Sequence, residues 1–341
     1  MHFKDDYSVG AHPKILEEII RANESLEISY QHDSYSLKAA GLLRKEINDT
    51  EAFIRFVSGG TLANLLVIAA ALKPYESVIA VESGHINLHE TGAVEYTGHK
   101  INSVKGIMGK ITPEEIKDTL EMHNTPPHMV KPKMVYISNS TELGTVYTAE
   151  ELKAISEVCK ENDLYLFLDG ARLGNALMSD DNDLSLRDIA ALTDAFYLGG
   201  TKNGGLMGEA IIITREELKS GFDFHLKQKG ALPAKTRFFG AQFTAFFKDG
   251  LYYELARKAN LSAKKLNKIL KEKGIKTKYP TRTNQVFPVL PNELIAELQK
   301  EAAFYVWEKE SDSESVIRLV TSWKTEEKEI EEFDALLNKL L

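Results

Sequence analysis

Short apolar segments alternate with helix-start signals along most of this 341-residue chain. The apolar segments lie at residues 53–57, 77–81, 134–137, 164–168, 195–198 and 210–213. Segments of this length are typical of buried strands, and strands that alternate with helices form a mostly parallel sheet covered on both faces. We therefore expect an α/β fold whose ligands bind where the strands end.

Helix starts are marked by a recurring cap. Thr112, Thr148 and Thr214 are each followed three residues later by Glu, which predicts three capping boxes. Further helices are expected from Pro13 to about residue 23, over residues 37–47, and from Leu62 onward, where the sequence is almost wholly apolar and the helix should be buried.

The sequence changes character near Gln242. A lysine-rich helical stretch, interrupted near Gly250, is followed by predicted strands at 285–290 and 316–323, a helix between them and a last helix at 325–341. We expect a large α/β domain at 1–241. Residues 242–341 should form a connecting helix and a small α+β domain.

Composition excludes several classes of protein. The formal charge of −8, with no basic stripe, argues against nucleic-acid binding. The longest apolar run, residues 65–72, is too short to span a membrane, and residues 1–6 lack the apolar core expected of a signal peptide. The one cysteine, Cys159, lies on an apolar helix face. We expect a cytoplasmic protein.

Three strand ends carry candidate chemistry. Lys202 lies in the glycine-rich stretch 199–205; it is either a solvated turn residue or an amine held for Schiff-base formation. Gly60 and Thr61 open a buried helix after a strand, which suits an anion, although a plain tight turn fits equally. Asp169 follows a buried strand and needs either a cation or several hydrogen-bond donors, and a protonated pyridine nitrogen is one such partner.

Arg172 and two histidines complete the candidates. Arg172 could bind a substrate carboxylate or form a structural Asp–Arg pair. His85 and His89 have a zinc-like spacing, but no glutamate stands beside the first and the loop 82–90 looks non-helical, so no metal is expected. A G-x-G-x-x-G dinucleotide motif is absent, and residues 106–111 only imitate a phosphate-binding loop.

The motifs together resemble the threonine aldolase/β-eliminating lyase family, in particular its bacterial low-specificity branch, among fold-type I pyridoxal-phosphate enzymes. The resemblance runs from about Phe3 to Trp323. The segments that carry it are Ser58-Gly59-Gly60-Thr61-Leu62-Ala63-Asn64, Ser83-Gly84-His85-Ile86-Asn87, Thr141-Glu142-Leu143-Gly144-Thr145-Val146-Tyr147, Asp169-Gly170-Ala171-Arg172-Leu173-Gly174-Asn175-Ala176 and Gly200-Thr201-Lys202-Asn203-Gly204.

The resemblance implies pyridoxal 5′-phosphate as the cofactor and retro-aldol cleavage of threonine or allo-threonine to glycine and acetaldehyde as the reaction. A β-eliminating lyase or an aminotransferase on the same scaffold is the alternative. By similarity, Lys202 bonds to the cofactor, Asp169 keeps its ring nitrogen protonated, Gly60 and Thr61 hold its phosphate and His85 stacks on its ring close to the substrate hydroxyl.

The same resemblance implies that Arg172 and Arg318 hold the substrate carboxylate. It also implies that Lys227 and Arg237 reach the cofactor phosphate of a neighbouring subunit in a homodimer or homotetramer. Two positions depart from the usual pattern. Glu142 stands where many members have a second histidine, and Asp5 stands where a serine is frequent, which makes Ser8 a candidate contact for the substrate. The resemblance thus implies that the N-terminal segment of the large domain contributes to the active site.

Overall fold

The computed structural model describes residues 1–341, and its main element is a seven-stranded sheet. The strands, numbered in chain order, are β1 (Phe53–Val57), β2 (Glu76–Val81), β3 (Ile101–Val104), β4 (Lys131–Ser138), β5 (Tyr165–Asp169), β6 (Ala195–Gly199) and β7 (Glu209–Ile213). Their order in the sheet is β1-β7-β6-β5-β4-β2-β3.

The expected mostly parallel sheet is confirmed. The pairs β2–β3, β2–β4, β4–β5 and β5–β6 are parallel, and only β7 runs antiparallel to its neighbours β6 and β1. The carboxyl ends of β1, β2, β4, β5 and β6 therefore meet at one edge of the sheet. The connections that leave this edge contain all of the strand-end candidates.

Twelve helices precede the C-terminal region: α1 (Pro13–Glu24), α2 (Ser34–Ile47), α3 (Gly60–Ala71), α4 (His85–Leu88), α5 (Ala93–Tyr96), α6 (Pro113–Met122), α7 (Ala149–Glu161), α8 (Leu173–Leu177), α9 (Leu186–Leu192), α10 (Glu216–Lys219), α11 (Phe222–Gln228) and α12 (Arg237–Lys248). They cover both faces of the sheet. A cluster of 41 buried residues packs on the face that α2, α7 and α12 cover, and 21 pack on the face that α3 covers.

Two of the three predicted capping boxes are present. Thr112 and Thr148 each accept the N–H three residues on, and the glutamate there bonds back. The prediction at Thr214 was wrong, because α10 begins after Arg215 without a side-chain cap. The Thr214 hydroxyl instead donates to the carbonyl of Thr193 at 2.7 Å, which ties β7 to the start of β6.

The C-terminal part is built on the long helix α13 (Leu251–Glu272). It adds β8 (Gln285–Val286), β9 (Val289–Pro291), α14 (Asn292–Leu298), β10 (Tyr305–Lys309), β11 (Glu314–Val320) and α15 (Glu327–Leu340). The four strands form a second, antiparallel sheet. A third cluster of 17 buried residues lies between this sheet and the helices.

Two features bear on the expected division at residues 241 and 242. That point falls inside α12, whereas α12 and α13 are separated at Gly250, which has a φ of +73°. Phe3, from the N-terminal segment, lies in the third cluster and pairs with Ala303. We propose a two-domain division near Gly250 in which residues 1–3 pack with the small domain. No helix combines the length and the apolar character needed to cross a membrane.

Candidate active site

Lys202 lies in a 3₁₀ turn, Thr201–Asn203, directly after β6. The turn ends at Gly204, whose φ of +91° is a left-handed conformation that favours glycine, and the N–H of His12 donates to its carbonyl at 2.9 Å. Burial, reinforced by the charge of Arg172, lowers the pKa of the Lys202 amine, while nearby carboxylates oppose this shift. The neutral, nucleophilic form of the amine is therefore more favoured in this site than it is for a lysine in solution.

Asp169, the last residue of β5, is 3% exposed and accepts four hydrogen bonds. The donors are the Tyr136 hydroxyl at 2.6 Å, the Asn64 Nδ2 at 2.9 Å, the Tyr197 hydroxyl at 2.5 Å and the Ala171 N–H at 3.0 Å. Burial alone would raise the pKa of Asp169. His85 and the hydroxyl donors outweigh it and hold the pKa below its ordinary value. The site thus contains a buried carboxyl group whose ionised form is favoured.

His85 begins α4, so the expected non-helical loop contains one helical turn. Its Nδ1 lies 2.8 Å from Oε1 of Glu90, whose side chain is fully buried. The same oxygen accepts from Asn64, which also donates to Asp169. The network runs from His85 through Glu90 and Asn64 to Asp169, and it leaves Nε2 of the partly exposed imidazole without a partner in the chain.

The N-terminus of α3 lies beside the same network. Its N-cap, Gly59, makes no side-chain capping bond, so the first N–H groups of this twelve-residue helix are available to an anion. A Cβ on Gly60 would lie 2.8 Å from the Tyr197 hydroxyl, which itself bonds Asp169. Glycine at position 60 therefore allows the helix terminus to approach the floor of the site closely.

Arg172 is engaged by an acidic residue that the sequence interpretation overlooked. Its Nε and Nη2 bind Asp6 in a bidentate pair at 2.7 and 3.0 Å, and Asn284 donates to the same carboxylate at 2.9 Å. Asp6 is fully buried. An Asp–Arg pair thus exists, but its acid is Asp6 of the N-terminal segment and not Asp169.

Arg318, on β11, lies against two aromatic rings. Its guanidinium carbon is 4.5 Å from the Trp307 ring centroid and 5.4 Å from that of Tyr305. Its Nε is buried without a hydrogen-bond partner. Burial, together with repulsion from Arg172, lowers the pKa of Arg318 to about 10. A buried cation with an unused donor is suited to bind a carboxylate.

Asp5 and Ser8 are hydrogen-bonded to each other. Asp5 accepts hydrogen bonds from the N–H groups of Tyr7 and Ser8 and, at 2.9 Å, from the Ser8 hydroxyl. Asp5 therefore shapes this turn, in which Ser8 lies exposed.

Glu142 accepts hydrogen bonds from the Ser138 hydroxyl and the His85 N–H through Oε1, while its Oε2 is buried without a partner. Burial, and then the charge of Asp169, raises the pKa of Glu142.

Lys227 and Arg237 are not joined to this network within the chain. The Lys227 Nζ lies 4.6 Å from the Tyr30 ring centroid, and the Arg237 Nη1 donates to the Ser25 carbonyl at 2.6 Å. Both therefore border the segment between α1 and α2. Leu26 in that segment has a relative exposure of 102%.

The sequence interpretation missed five contributors to the site: Asp6, Asn64, Glu90, Tyr136 and Tyr197. Tyr136 and Tyr197 lie within apolar strands, where an aromatic residue reads as core. Two-residue alternation places Tyr197 on the sheet face of Ile211 and Ile213, which α3 covers, and this pattern was the one available signal for its approach to the site. For Asp6, Asn64, Glu90 and Tyr136, no local sequence pattern indicates the contacts that they make in the site.

Comparison with known proteins identifies the family of this chain. The β-eliminating lyase family matches residues 10–324. The low-specificity L-threonine aldolase of Pseudomonas aeruginosa is 34% identical over 96% of this chain and 94% of that protein. A second such enzyme, from Pseudomonas sp., is 33% identical over 97% of the chain and 95% of that protein.

Solved structures agree as well. The threonine aldolase of Leishmania major superposes with a TM-score of 0.97 at 47% identity, covering 100% of this chain and 99% of that one. An aspartate aminotransferase of Thermus thermophilus, at a TM-score of 0.73 and 17% identity over 100% of this chain and 91% of that one, shares the fold alone. The family match over residues 10–324 and the nearly full-length similarity to threonine aldolases show that this chain belongs to the β-eliminating lyase family.

Proposed function

We propose that this protein cleaves β-hydroxy-α-amino acids with the aid of pyridoxal 5′-phosphate, converting L-threonine or L-allo-threonine to glycine and acetaldehyde. The observation that carries the proposal is the convergence of Lys202 and the ionised Asp169 at one sheet edge, in a chain that matches named threonine aldolases over nearly its full length.

The residues present fit this cofactor. The uncapped start of α3, with Gly60 and Thr61, offers N–H donors to a phosphate. Asp169 offers a carboxylate to a protonated pyridine nitrogen, and Lys202 offers an amine to an aldehyde. When bound there, the cofactor supplies an electron sink for the bond that breaks at the substrate α-carbon.

The substrate carboxylate is proposed to bind Arg318. Its Nε is unpartnered, and the rings of Tyr305 and Trp307 restrict where the guanidinium can point. Arg172 already donates two bonds to Asp6, so only its remaining donors can reach a ligand. We propose that Arg172 fixes the N-terminal segment over the site and assists Arg318. The exposed Ser8 hydroxyl, bonded to Asp5, is a weaker candidate contact.

His85 is proposed to hold the proton of the substrate β-hydroxyl. With Glu90 on Nδ1, a neutral imidazole carries its proton on that nitrogen, and Nε2 is then the acceptor. The fully buried Glu90 side chain fixes the plane of the ring. This arrangement lets the imidazole accept a proton without moving, while Glu90 stabilises the cation that results.

A subunit interface is part of the proposal. A cavity of about 720 Å³ lies beside the start of α3, and its lining includes Ser58, Met207 and Phe238. Arg237 and Lys227 border the same side of the chain as the exposed Leu26. We propose that this surface meets a second copy in a homodimer or homotetramer and that Lys227 and Arg237 reach the neighbour's phosphate site.

A cytoplasmic location is also proposed, since the one cysteine, Cys159, is a buried free thiol.

Product analysis tests the proposed reaction. The purified protein, supplied with pyridoxal phosphate and L-threonine or L-allo-threonine, should release glycine and acetaldehyde in equal amounts. The Lys202→Ala variant serves as the blank and should release neither. Release of a 2-oxoacid and ammonia would instead identify a β-eliminating lyase and contradict the proposal. Amino-group transfer to an added 2-oxoacid would identify an aminotransferase.

A further inference from the structure

Glu209 is a buried carboxyl group that the proposed reaction leaves without a role. It is the first residue of β7 and is 5% exposed. It lies opposite Gly199 of β6 on one side and Val57 of β1 on the other. A carboxyl group buried among strands is unfavourable unless donors or a cation compensate it. The compensating groups therefore indicate what Glu209 does.

Its contacts are with the two residues that precede Lys202. The Glu209 Oε2 accepts the N–H of Gly200 at 2.8 Å, and the neighbouring Thr201 side chain favours the ionised form of the carboxyl group. Thr201 Oγ1 in turn accepts the N–H of Gly208 at 3.0 Å. The carboxyl group thus closes a small ring of contacts around the base of the turn that presents the reactive lysine.

The space around this turn leaves little freedom. A Cβ on Gly200 would lie 2.6 Å from the Gly208 carbonyl oxygen, and one on Gly199 would lie 2.3 Å from that of Ala171. The backbone before Lys202 is therefore packed against neighbouring backbone on both sides. The rings of Phe243 and Phe246 also approach Gly200, and Glu209 adds a charged side chain to these contacts.

The charged groups around Lys202 and Glu209 favour the protonated form of the amine in some cases and disfavour it in others. Lys202 faces Arg172, which disfavours its protonated form, and Asp6, Asp169 and Glu209, which favour it. His89 and the ring of Tyr7 complete the ionisable groups near the amine. Glu209 faces Lys202 and Asp169, and the phenols of Tyr197 and Tyr252 lie within its field. Burial raises the pKa of Glu209 to about 7, and Lys202 opposes the rise.

We propose that Glu209 is a positioning residue for Lys202: it fixes the turn that presents the amine and places a carboxyl group near that amine. The proposal rests on the proposed function in one respect, namely that Lys202 is the residue that bonds to the cofactor. Glu209 acts through the turn and through its charge, since the two side chains form no direct salt bridge within 4.0 Å. It is not proposed to touch the substrate.

The test uses the pH dependence of Lys202 labelling in the cofactor-free protein. An amine-acylating reagent is applied at a series of pH values, and modification of Lys202 is counted by peptide mass spectrometry. In Glu209→Gln, which keeps an acceptor for Gly200 but removes the charge, the labelling midpoint should fall by about one pH unit, since a nearby opposite charge favours the protonated amine. Glu209→Asp keeps the charge and should restore most of that shift.

Glu76→Gln is the matched control. Glu76 is likewise a buried strand-start glutamate that accepts a backbone N–H, from Lys73, and it lies outside the site. This variant should leave the midpoint unchanged. Equal midpoints in the wild type and Glu209→Gln would overturn the pairing, and so would an equal fall in Glu76→Gln.

A reciprocal measurement covers the case in which Glu209→Gln does not fold. In Lys202→Met, carboxyl-¹³C glutamate labelling should show a buried glutamate titrating at higher pH than in the wild type, by about the shift seen for the amine. An unchanged carboxyl titration would overturn the proposal. Both measurements are made without cofactor or substrate, so a protein that attaches its cofactor elsewhere would contradict the proposed function without affecting either result.

Discussion

His85 and four hydrogen-bond donors together favour the charged form of Asp169, and the effect of removing one donor can be calculated. The substitution Tyr197→Phe deletes one hydroxyl donor, at 2.5 Å, and leaves the ring in place. A hydrogen bond to a charged group contributes about 1.5–3 kcal/mol, which corresponds to a rise in the pKa of the carboxyl group of about one to two units. We expect the free energy of unfolding to fall by that amount at pH 7.

The single variant should nevertheless stay active. The pKa of Asp169 starts below its ordinary value of 3.8, so a rise of about one to two units leaves the carboxylate ionised at pH 7. A carboxyl group whose pKa is lowered in the folded state stabilises the fold at pH values above its unfolded-state pKa. That stabilisation is lost as the pH falls through the folded-state pKa. The variant should therefore lose less stability on acidification than the wild type. The double variant Tyr136→Phe/Tyr197→Phe removes two donors and should lose most activity near neutral pH.

The assay combines chemical denaturation of the cofactor-free protein with turnover of threonine over a pH series. Tyr147→Phe is the matched control, because this buried tyrosine accepts the N–H of Ile111 outside the site. It should lower stability without moving the pH profile. Abolished turnover in Tyr197→Phe alone, or wild-type turnover in the double variant, would refute the view that several donors share the stabilisation of the charge.

Three further predictions follow from single contacts. Gly60→Ala places a Cβ 2.8 Å from the Tyr197 hydroxyl and should weaken cofactor binding at least tenfold in a fluorescence titration, whereas Gly41→Ala, with nothing within 4 Å, should not. Arg318→Met should raise KM for threonine by about tenfold or more with a smaller change in kcat, whereas Arg282→Met, which breaks an exposed pair with Asp181, should change neither. Because the pKa of Glu209 is raised from 4.5 to about 7, the cofactor-free protein should lose on the order of 3 kcal/mol of stability between those pH values relative to Glu209→Gln, as followed by urea unfolding.

The sequence predicted the strands that carry an apolar run and missed those that do not. Apolar runs identified β2 and β4 to β7 because a strand covered on both sides is largely apolar. Strand β1 lies at one edge of the sheet and contains the half-buried Arg55, but its other four residues are apolar and were sufficient. Strand β3 at the opposite edge is only partly buried and β10 in the small domain is largely exposed. Their segments, Ile-Asn-Ser-Val and Tyr-Val-Trp-Glu-Lys, carry no such signal.

The site, like the fold, was predictable only where the sequence carries a local signal. Lys202, Asp169 and His85 were predictable because parallel strands bring their carboxyl ends together, so polar residues after strands converge. The partners were not predictable, since they depend on which face each side chain takes. Asp5 and Asp6 are adjacent in sequence, yet Asp5 closes a local turn while Asp6 pairs with Arg172, and only the packed chain distinguishes them.

The attachment point of the cofactor tests the central claim most directly. The protein loaded with pyridoxal phosphate is treated with borohydride, which fixes an amine-bound cofactor irreversibly, and is then digested for peptide mass spectrometry. We expect the modification on Lys202, in the turn after β6, with Lys202→Ala giving an unmodified peptide. Modification of a different lysine, with Lys202 left free, would contradict the assignment of the site.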